Sequence, residues 1–172
     1  VTGSGAALVT SERTDISIES ATIGTVTDLG ITDAANMGAA MAPAAFHTIR
    51  THLADPMTTP NDYDLIVTGD LGTIGVEALM QLCREEGLSI GGKLTDCGNL
   101  IFDPIKQDVH AGGSGCGCSG AVGNSYIMRR LREKSLNKVL FVGTGALLSP
   151  TSTLQGESIP SISHAISLEV SE

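Results

Sequence analysis

Leu65-Ile66-Val67-Thr68-Gly69-Asp70-Leu71-Gly72 begins with four apolar or β-branched residues and stops at a glycine, an acid and a second glycine. A run this short, with no polar alternation, reads as a strand buried on both faces, and such strands belong to parallel sheets covered by helices. Val76, Leu79, Met80 and Cys83 follow at helical spacing, and Gly87 stands where a C-terminal cap belongs. Val139-Leu140-Phe141-Val142, ending at Gly143-Thr144-Gly145, repeats the first pattern. Two such strands with helices between them predict an α/β fold.

Outward from this unit, Gly3 to Thr10 reads as a small-residue strand, and Ile16 and Ile18 mark another with one face inward. The small residues from Thr32 to Ala42 lead to Pro43, a residue suited to the first helical position. A helix over 43–53 is predicted, with Phe46, Ile49 and Leu53 on its buried stripe, followed by a loop around Pro56 and Pro60. Residues 88–110 read as irregular, with a weak strand from Asn99 to Asp103 stopped by Pro104. The third helix opens within Gly112 to Gly120 and runs to about Lys134, its last turn carrying Arg129, Arg130, Arg132 and Lys134 at the negative end of the dipole. Ile162, His164, Ile166, Leu168 and Val170 alternate on one face of a closing strand. The expectation is a mixed five-stranded sheet flanked by helices.

At 172 residues and 41% hydrophobic the chain is long enough and apolar enough for one compact core. Ten basic against 19 acidic side chains give a net charge of -9, which argues against a nucleic-acid partner. No stretch approaches the roughly 18 consecutive apolar residues of a membrane span. The N-terminus shows no signal-peptide pattern, and it begins without a methionine, so a preceding segment is expected to be missing. Cys83, Cys97, Cys116 and Cys118 are too few for a disulfide scaffold and are expected to be reduced.

The densest chemistry lies in Gly112 to Gly120, where glycines precede a helix start and free backbone N–H groups for an anion. Gly115 to Gly120 formally matches a dinucleotide fingerprint, but the strand before it is weak and the acidic ribose partner is absent. His110, Cys97, Cys116 and Cys118 can be drawn as a zinc set, although their spacing is not that of a zinc module, and no metal site is assigned. Cys116 at a helix start has the setting of a nucleophile, with His110 the nearest base in sequence; Cys83 and His164 read as core. Asp70 lies just past a buried strand, where open α/β sheets bind ligands, and is equally readable as a solvated loop carboxylate; Asp96 is a weaker candidate of the same kind.

Thr68-Gly69-Asp70-Leu71-Gly72, Asp96-Cys97-Gly98, Gly112 to Ser119, Thr144 to Pro150 and Glu157 to Pro160 occur in an order that resembles the stage V sporulation protein AD family, over nearly the whole chain. The resemblance implies a thiolase-like α-β-α-β-α sandwich of two similar halves, in members about twice this long. On that basis residues 1–12 are the closing strand of an absent first half, and residues 13–172 are the C-terminal half. In the wider thiolase superfamily Asp70 falls near a catalytic polar position and Ser114 at the position of a catalytic histidine, with no cysteine around Gly143 to Gly145. The enzymes' constellation is unmatched in this half, and a non-catalytic protein is expected.

The family resemblance further implies binding of dipicolinic acid for uptake into the developing spore. Other proteins of the stage V sporulation A operon at the spore inner membrane would be its partners, in a channel complex. It implies synthesis in the forespore cytoplasm, peripheral association with that membrane, and a homodimer formed through the missing half. The expected ligand-binding residues are Asp70, Leu71, Asp96, Ser114, Gly115, Cys116, Gly117, Cys118 and Ser119. No cofactor is expected beyond calcium arriving as part of a dipicolinate chelate, with Asp70 or Asp96 completing its oxygen shell. The alternatives are an acyl-transferring enzyme using Cys116 or a cysteine of the absent half, and a purely structural partner in the membrane complex.

Overall fold

The computed structural model describes residues 1–55 and 57–171. Its elements run β1 (Ile16–Thr22), α1 (Met37–Ala54), β2 (Leu65–Thr68), α2 (Gly72–Glu85), β3 (Leu94–Asp96), α3 (Cys97–Leu100), α4 (Cys116–Val122), a π-helical segment (Gly123–Ile127), α5 (Met128–Arg132), β4 (Lys138–Ala146), α6 (Pro150–Leu154) and β5 (Ser161–Val170), with short 3-10 turns at Pro60–Asp62 and Gly91–Lys93. The five strands form one mixed sheet in the order β1-β5-β4-β2-β3. β2 is parallel to β3 and β4, while β5 is antiparallel to β4 and β1 is antiparallel to β5.

The two apolar runs behave as doubly buried strands for a simple geometric reason: successive side chains point to opposite faces. Ile66 and Leu140 join a core with Met41, Ile49 and Leu53 of α1 and Leu79 and Cys83 of α2. Their neighbours Val67 and Val139 enter a second core on the other face, with Cys118, Val122, Ile127 and Leu131 of the α4-to-α5 helix.

Several boundaries differ from the sequence reading. The first helix begins at Met37, not Pro43, because the Asn36 side chain accepts a hydrogen bond from the Ala39 N–H and the alanines after it are strong helix formers. Pro43 therefore sits inside the helix, where it forgoes one backbone bond. No strand forms over Asn99 to Asp103; the ladder falls instead on Leu94–Asp96, and Asp96 caps the single turn α3. Of the loop predicted around Pro56 and Pro60, Pro56 lies outside the described residues and Pro60 opens a 3-10 turn. The segment over Gly3 to Thr10 joins no strand ladder here; Gly3 and Gly5 lie against Gly117 and Gly120 of α4.

β5 reverses an expectation about its faces. The side buried beneath α1 is Ser161, Ser163, Ala165 and Ser167, while His164 is exposed and Ile162, Ile166 and Leu168 are only half-buried on the other side. Small residues on both partners explain this: Ala40, Ala42, Ala44 and Ala45 of α1 are all buried, and the helix sits close enough for the Thr48 hydroxyl to donate to the Ser163 carbonyl. The opposite side of β1, β4 and β5 carries Ile16, Ile18, Phe141, Ile166 and Leu168 along an open trough of about 740 Å³, bounded by residues 7–14.

His52 of α1 is fully buried, its Nδ1 2.8 Å from the Thr22 hydroxyl and its Nε2 3.0 Å from the Tyr63 hydroxyl. Burial is the main cause holding its pKa below the usual 6.5. The unfolded chain then binds the proton more readily, so stability present above pH 6.5 is lost as pH falls below it toward the folded-state value. Urea unfolding at pH 7.5 and 5.5, taken as roughly one unit either side of a free histidine, should show a lower midpoint at the acid pH. His52→Gln should be less stable at neutral pH and show a smaller difference between the two pH values.

Candidate functional site

The parallel strands β2, β3 and β4 end at one edge of the sheet, and the glycine-rich turn comes to the same edge. Asp70 follows β2, Asp96 closes β3, Thr144 lies in the last part of β4, and Gly115 precedes α4. Ligand sites of open α/β sheets form at such carboxyl ends.

Asp70 is half-buried and joins these pieces. One carboxylate oxygen accepts from the Gly115 N–H at 2.7 Å and the other from the Thr144 hydroxyl at 2.8 Å, while the Asp70 N–H donates to the Thr144 oxygen at 3.1 Å. Gly115 has φ 96°, a conformation that a side chain would strain, and this lets its N–H turn toward Asp70 as the helix begins. Ser119 and Thr144 flank Gly69: a side-chain carbon there would fall 2.8 Å from the Ser119 hydroxyl oxygen and 2.6 Å from that of Thr144.

Asp96 does a different job. It is fully buried, and one oxygen accepts from the Thr68 hydroxyl at 2.7 Å and the Leu71 N–H at 2.9 Å, the other from the N–H groups of Gly72 at 3.1 Å and Asn99 at 3.2 Å. Burial raises its pKa above the ordinary carboxylate range, and the four donors act in the opposite direction. Asp96 thus ties the end of β2, the start of α2 and α3 into one unit and presents no oxygen to solvent. Leu71 contributes a donating N–H to this unit while its side chain is buried in the core.

In the glycine-rich turn, Ser114, Gly115 and Cys116 are exposed, Ser119 is half-buried, and Gly117 and Cys118 are buried. The thiols divide accordingly. Burial pushes Cys83 up to about 11 and Cys97 up to about 12, and burial followed by the nearby Asp70 charge raises Cys118. His110 lies on an exposed loop, 3.7 Å from Asp108, and no hydrogen bond or ion pair joins it to Cys116 among the described residues. Among those residues no three His, Cys, Asp or Glu side chains converge on a metal position, so His110, Cys97, Cys116 and Cys118 do not assemble a zinc set.

Thr144 is the site residue that sequence reasoning passed over. It stands at a strand end just as Asp70 does, so the same strand-end rule pointed to it; what the sequence did not display is that the two side chains meet.

The fold and this edge define an α/β protein with a polar, glycine-lined site at the carboxyl ends of its parallel strands. The model of the family described as stage V sporulation protein AD matches residues 1–169, and the chain belongs to that family. It is 52% identical over 169 residues to stage V sporulation protein AD of Bacillus subtilis (strain 168), covering 98% of this chain and 50% of that protein. The chain therefore spans half the length of this curated relative. Among solved structures, it is similar to an acetyl-CoA acetyltransferase of Bacillus anthracis, at 19% identity and TM-score 0.48, covering 92% of this chain and 31% of that one. It is also similar to a 3-oxoacyl-[acyl-carrier-protein] synthase III of Aquifex aeolicus VF5, at 10% identity and TM-score 0.49, covering 93% of this chain and 46% of that one.

Two measurements check this reading of the site. Asp96→Asn turns an amide N–H₂ toward groups that already donate, and should cost about 3 kcal/mol in urea unfolding. A disulfide reagent should label Cys116 rapidly in the native protein and reach Cys83, Cys97 and Cys118 only after unfolding, as read by mass spectrometry.

Proposed function

We propose that this protein acts in spore formation by binding dipicolinic acid, as its calcium chelate, without transforming it. The observation that carries the proposal is membership of the stage V sporulation protein AD family over residues 1–169. The site is chemically suited to such a ligand. Dipicolinate is a planar dicarboxylate, and the exposed turn Ser114-Gly115-Cys116 offers a hydroxyl beside the first turn of a helix, where the Gly115 N–H is held by Asp70 and the Cys118 N–H by the Gly115 carbonyl. Ser119, one turn further on, approaches Gly69 together with Thr144 at the same end of the strands.

Asp70 is the carboxylate on which a chelated calcium would complete its oxygen shell, because it is the half-buried one of the pair. Asp96 serves by fixing the loop that carries Asp70. Gly117 and Cys118, buried beneath the turn, support its shape. A binding rather than catalytic role is favoured by His110, which makes no bond to the exposed Cys116 thiol and leaves it without a base from that residue.

Within the cell the proposal places the protein with the other proteins of the stage V sporulation A operon, peripherally at the spore inner membrane, and as a dimer formed through the other half of a longer protein. No helix among the described residues is long and apolar enough to cross a membrane.

Titration calorimetry of dipicolinate, with and without calcium, on this chain and on a full-length relative tests the proposal. Binding should strengthen with calcium and weaken by about tenfold, or 1.4 kcal/mol, in Ser114→Ala. Asp70→Ala should remove the calcium dependence. Equal affinity with and without calcium overturns the chelate, and no binding to the full-length protein overturns dipicolinate as the ligand.

A further inference from the structure

Five of the ten basic residues of this acidic chain fall between positions 129 and 138: Arg129, Arg130, Arg132, Lys134 and Lys138. Two of the five are engaged. Lys138 pairs with Glu169 at 2.8 Å, and Arg130 lies over the Tyr126 ring while donating to the Tyr126 and Ser135 hydroxyl oxygens. Arg129, Arg132 and Lys134 are exposed and, among the described residues, make no ion pair, although acids outnumber bases by nine in the whole chain.

The turn that presents them is closed by two backbone hydrogen bonds and carries a residue ill suited to its backbone. The Lys134 N–H donates to the Leu131 carbonyl and the Ser135 N–H to the Arg130 carbonyl, the paired bonds of a Schellman cap. Lys134 occupies the left-handed position of that cap, with φ 55°, where glycine is the usual residue and a side chain is strained. A helix dipole accounts for cations near this end, but not for a lysine in a position where glycine would fit better.

The cap lies just before β4, at the edge of the sheet opposite Asp70 and Thr144, about 20 Å along the strand. We infer that this basic cap, Arg129, Arg132 and Lys134 held around the fixed Arg130, is a docking surface for an acidic segment of another polypeptide. This inference is independent of the dipicolinate reading.

Charge geometry favours a narrow segment over an anionic bilayer. Asp64 and Glu169 flank the cap and Glu133 lies within it, so a plane of negative charge meets these carboxylates along with the cations, whereas a single strand of carboxylates can pass between them. No large apolar side chain is exposed between Ile105 and Leu147 among the described residues, so the cap has nothing to insert into lipid. Arg129 and Arg132, three apart on one helix, are neighbours on its surface and suit carboxylates of similar spacing.

Fluorescence anisotropy of a labelled peptide of glutamates tests this on the whole 172-residue chain. Binding should appear at low ionic strength and weaken as salt is added. The double variant Arg129→Glu/Arg132→Glu should lose about tenfold in affinity. Lys134→Gly should bind two- to threefold more weakly while its Tm rises by about 2–4 °C. Absence of peptide binding at low salt, or equal binding by the double variant, overturns the inference. Sedimentation with phosphatidylglycerol vesicles that the double variant abolishes would assign the cap to lipid instead, and a lower Tm in Lys134→Gly would remove the argument from strain.

Discussion

A carboxylate with no cation beside it, buried where the parallel strands end, is the constraint on which the candidate site depends. Asp96 has surrendered its hydration, and only the four donors gathered around it compensate. Those donors come from β2, from the first turn of α2 and from α3, so satisfying one side chain fixes the relative positions of three segments. Gly72, with φ 65°, brings its N–H into this set, and the neighbouring Thr73 N–H donates to the Ala111 carbonyl at 2.8 Å, tying the approach to the glycine-rich turn onto the same unit. The Gly113 N–H donates to the Gly98 carbonyl at 2.7 Å and adds a second tie. Asp70 then needs only two further bonds, to Gly115 and Thr144, to join the turn to β2 and β4.

The rest of the architecture supports this edge without contributing chemistry to it. Ile66 and Val67 face different cores, and the strand that delivers Asp70 is therefore clamped from both sides. Where α1 crosses β5 the packing relies on alanines and serines, so the helix lies close enough there for the Thr48 hydroxyl to donate to the Ser163 carbonyl. The other side of β1 and β5 leaves Ile18 and Leu168 beside an open trough, so the two faces of one sheet are covered to very different degrees.

The two proposals place their sites at opposite ends of the parallel strands. The carboxyl ends gather Asp70, Thr144 and the exposed Ser114 to Cys116 turn, whereas the opposite end carries Arg129, Arg132 and Lys134, which make no ion pair among the described residues, on a strained cap. In a chain of net charge -9 the separation matters, because beyond about 8 Å at physiological salt each end is governed by its own local groups rather than by the total.

The doubly buried strands, the helix after Gly72 and the placement of Asp70 and the glycine-rich turn at strand and helix ends were legible in the amino-acid pattern. Each is a local consequence of side-chain period or of glycine and carboxylate chemistry. The start of α1 was hidden because Pro43 is a strong local mark, whereas the Asn36 cap is a single hydrogen bond. β3 was hidden because three residues carry too little pattern to separate a strand from a turn. Which face of β5 is buried, and which of two aspartates is enclosed, could not be read locally: Ser163 and Asp96 are polar by composition, and they are buried because α1 lies over the one and three donors from distant positions close over the other. Local pattern thus determined the doubly buried strands and the helix between them, while the tertiary structure alone decided which polar groups meet each other and which stay exposed.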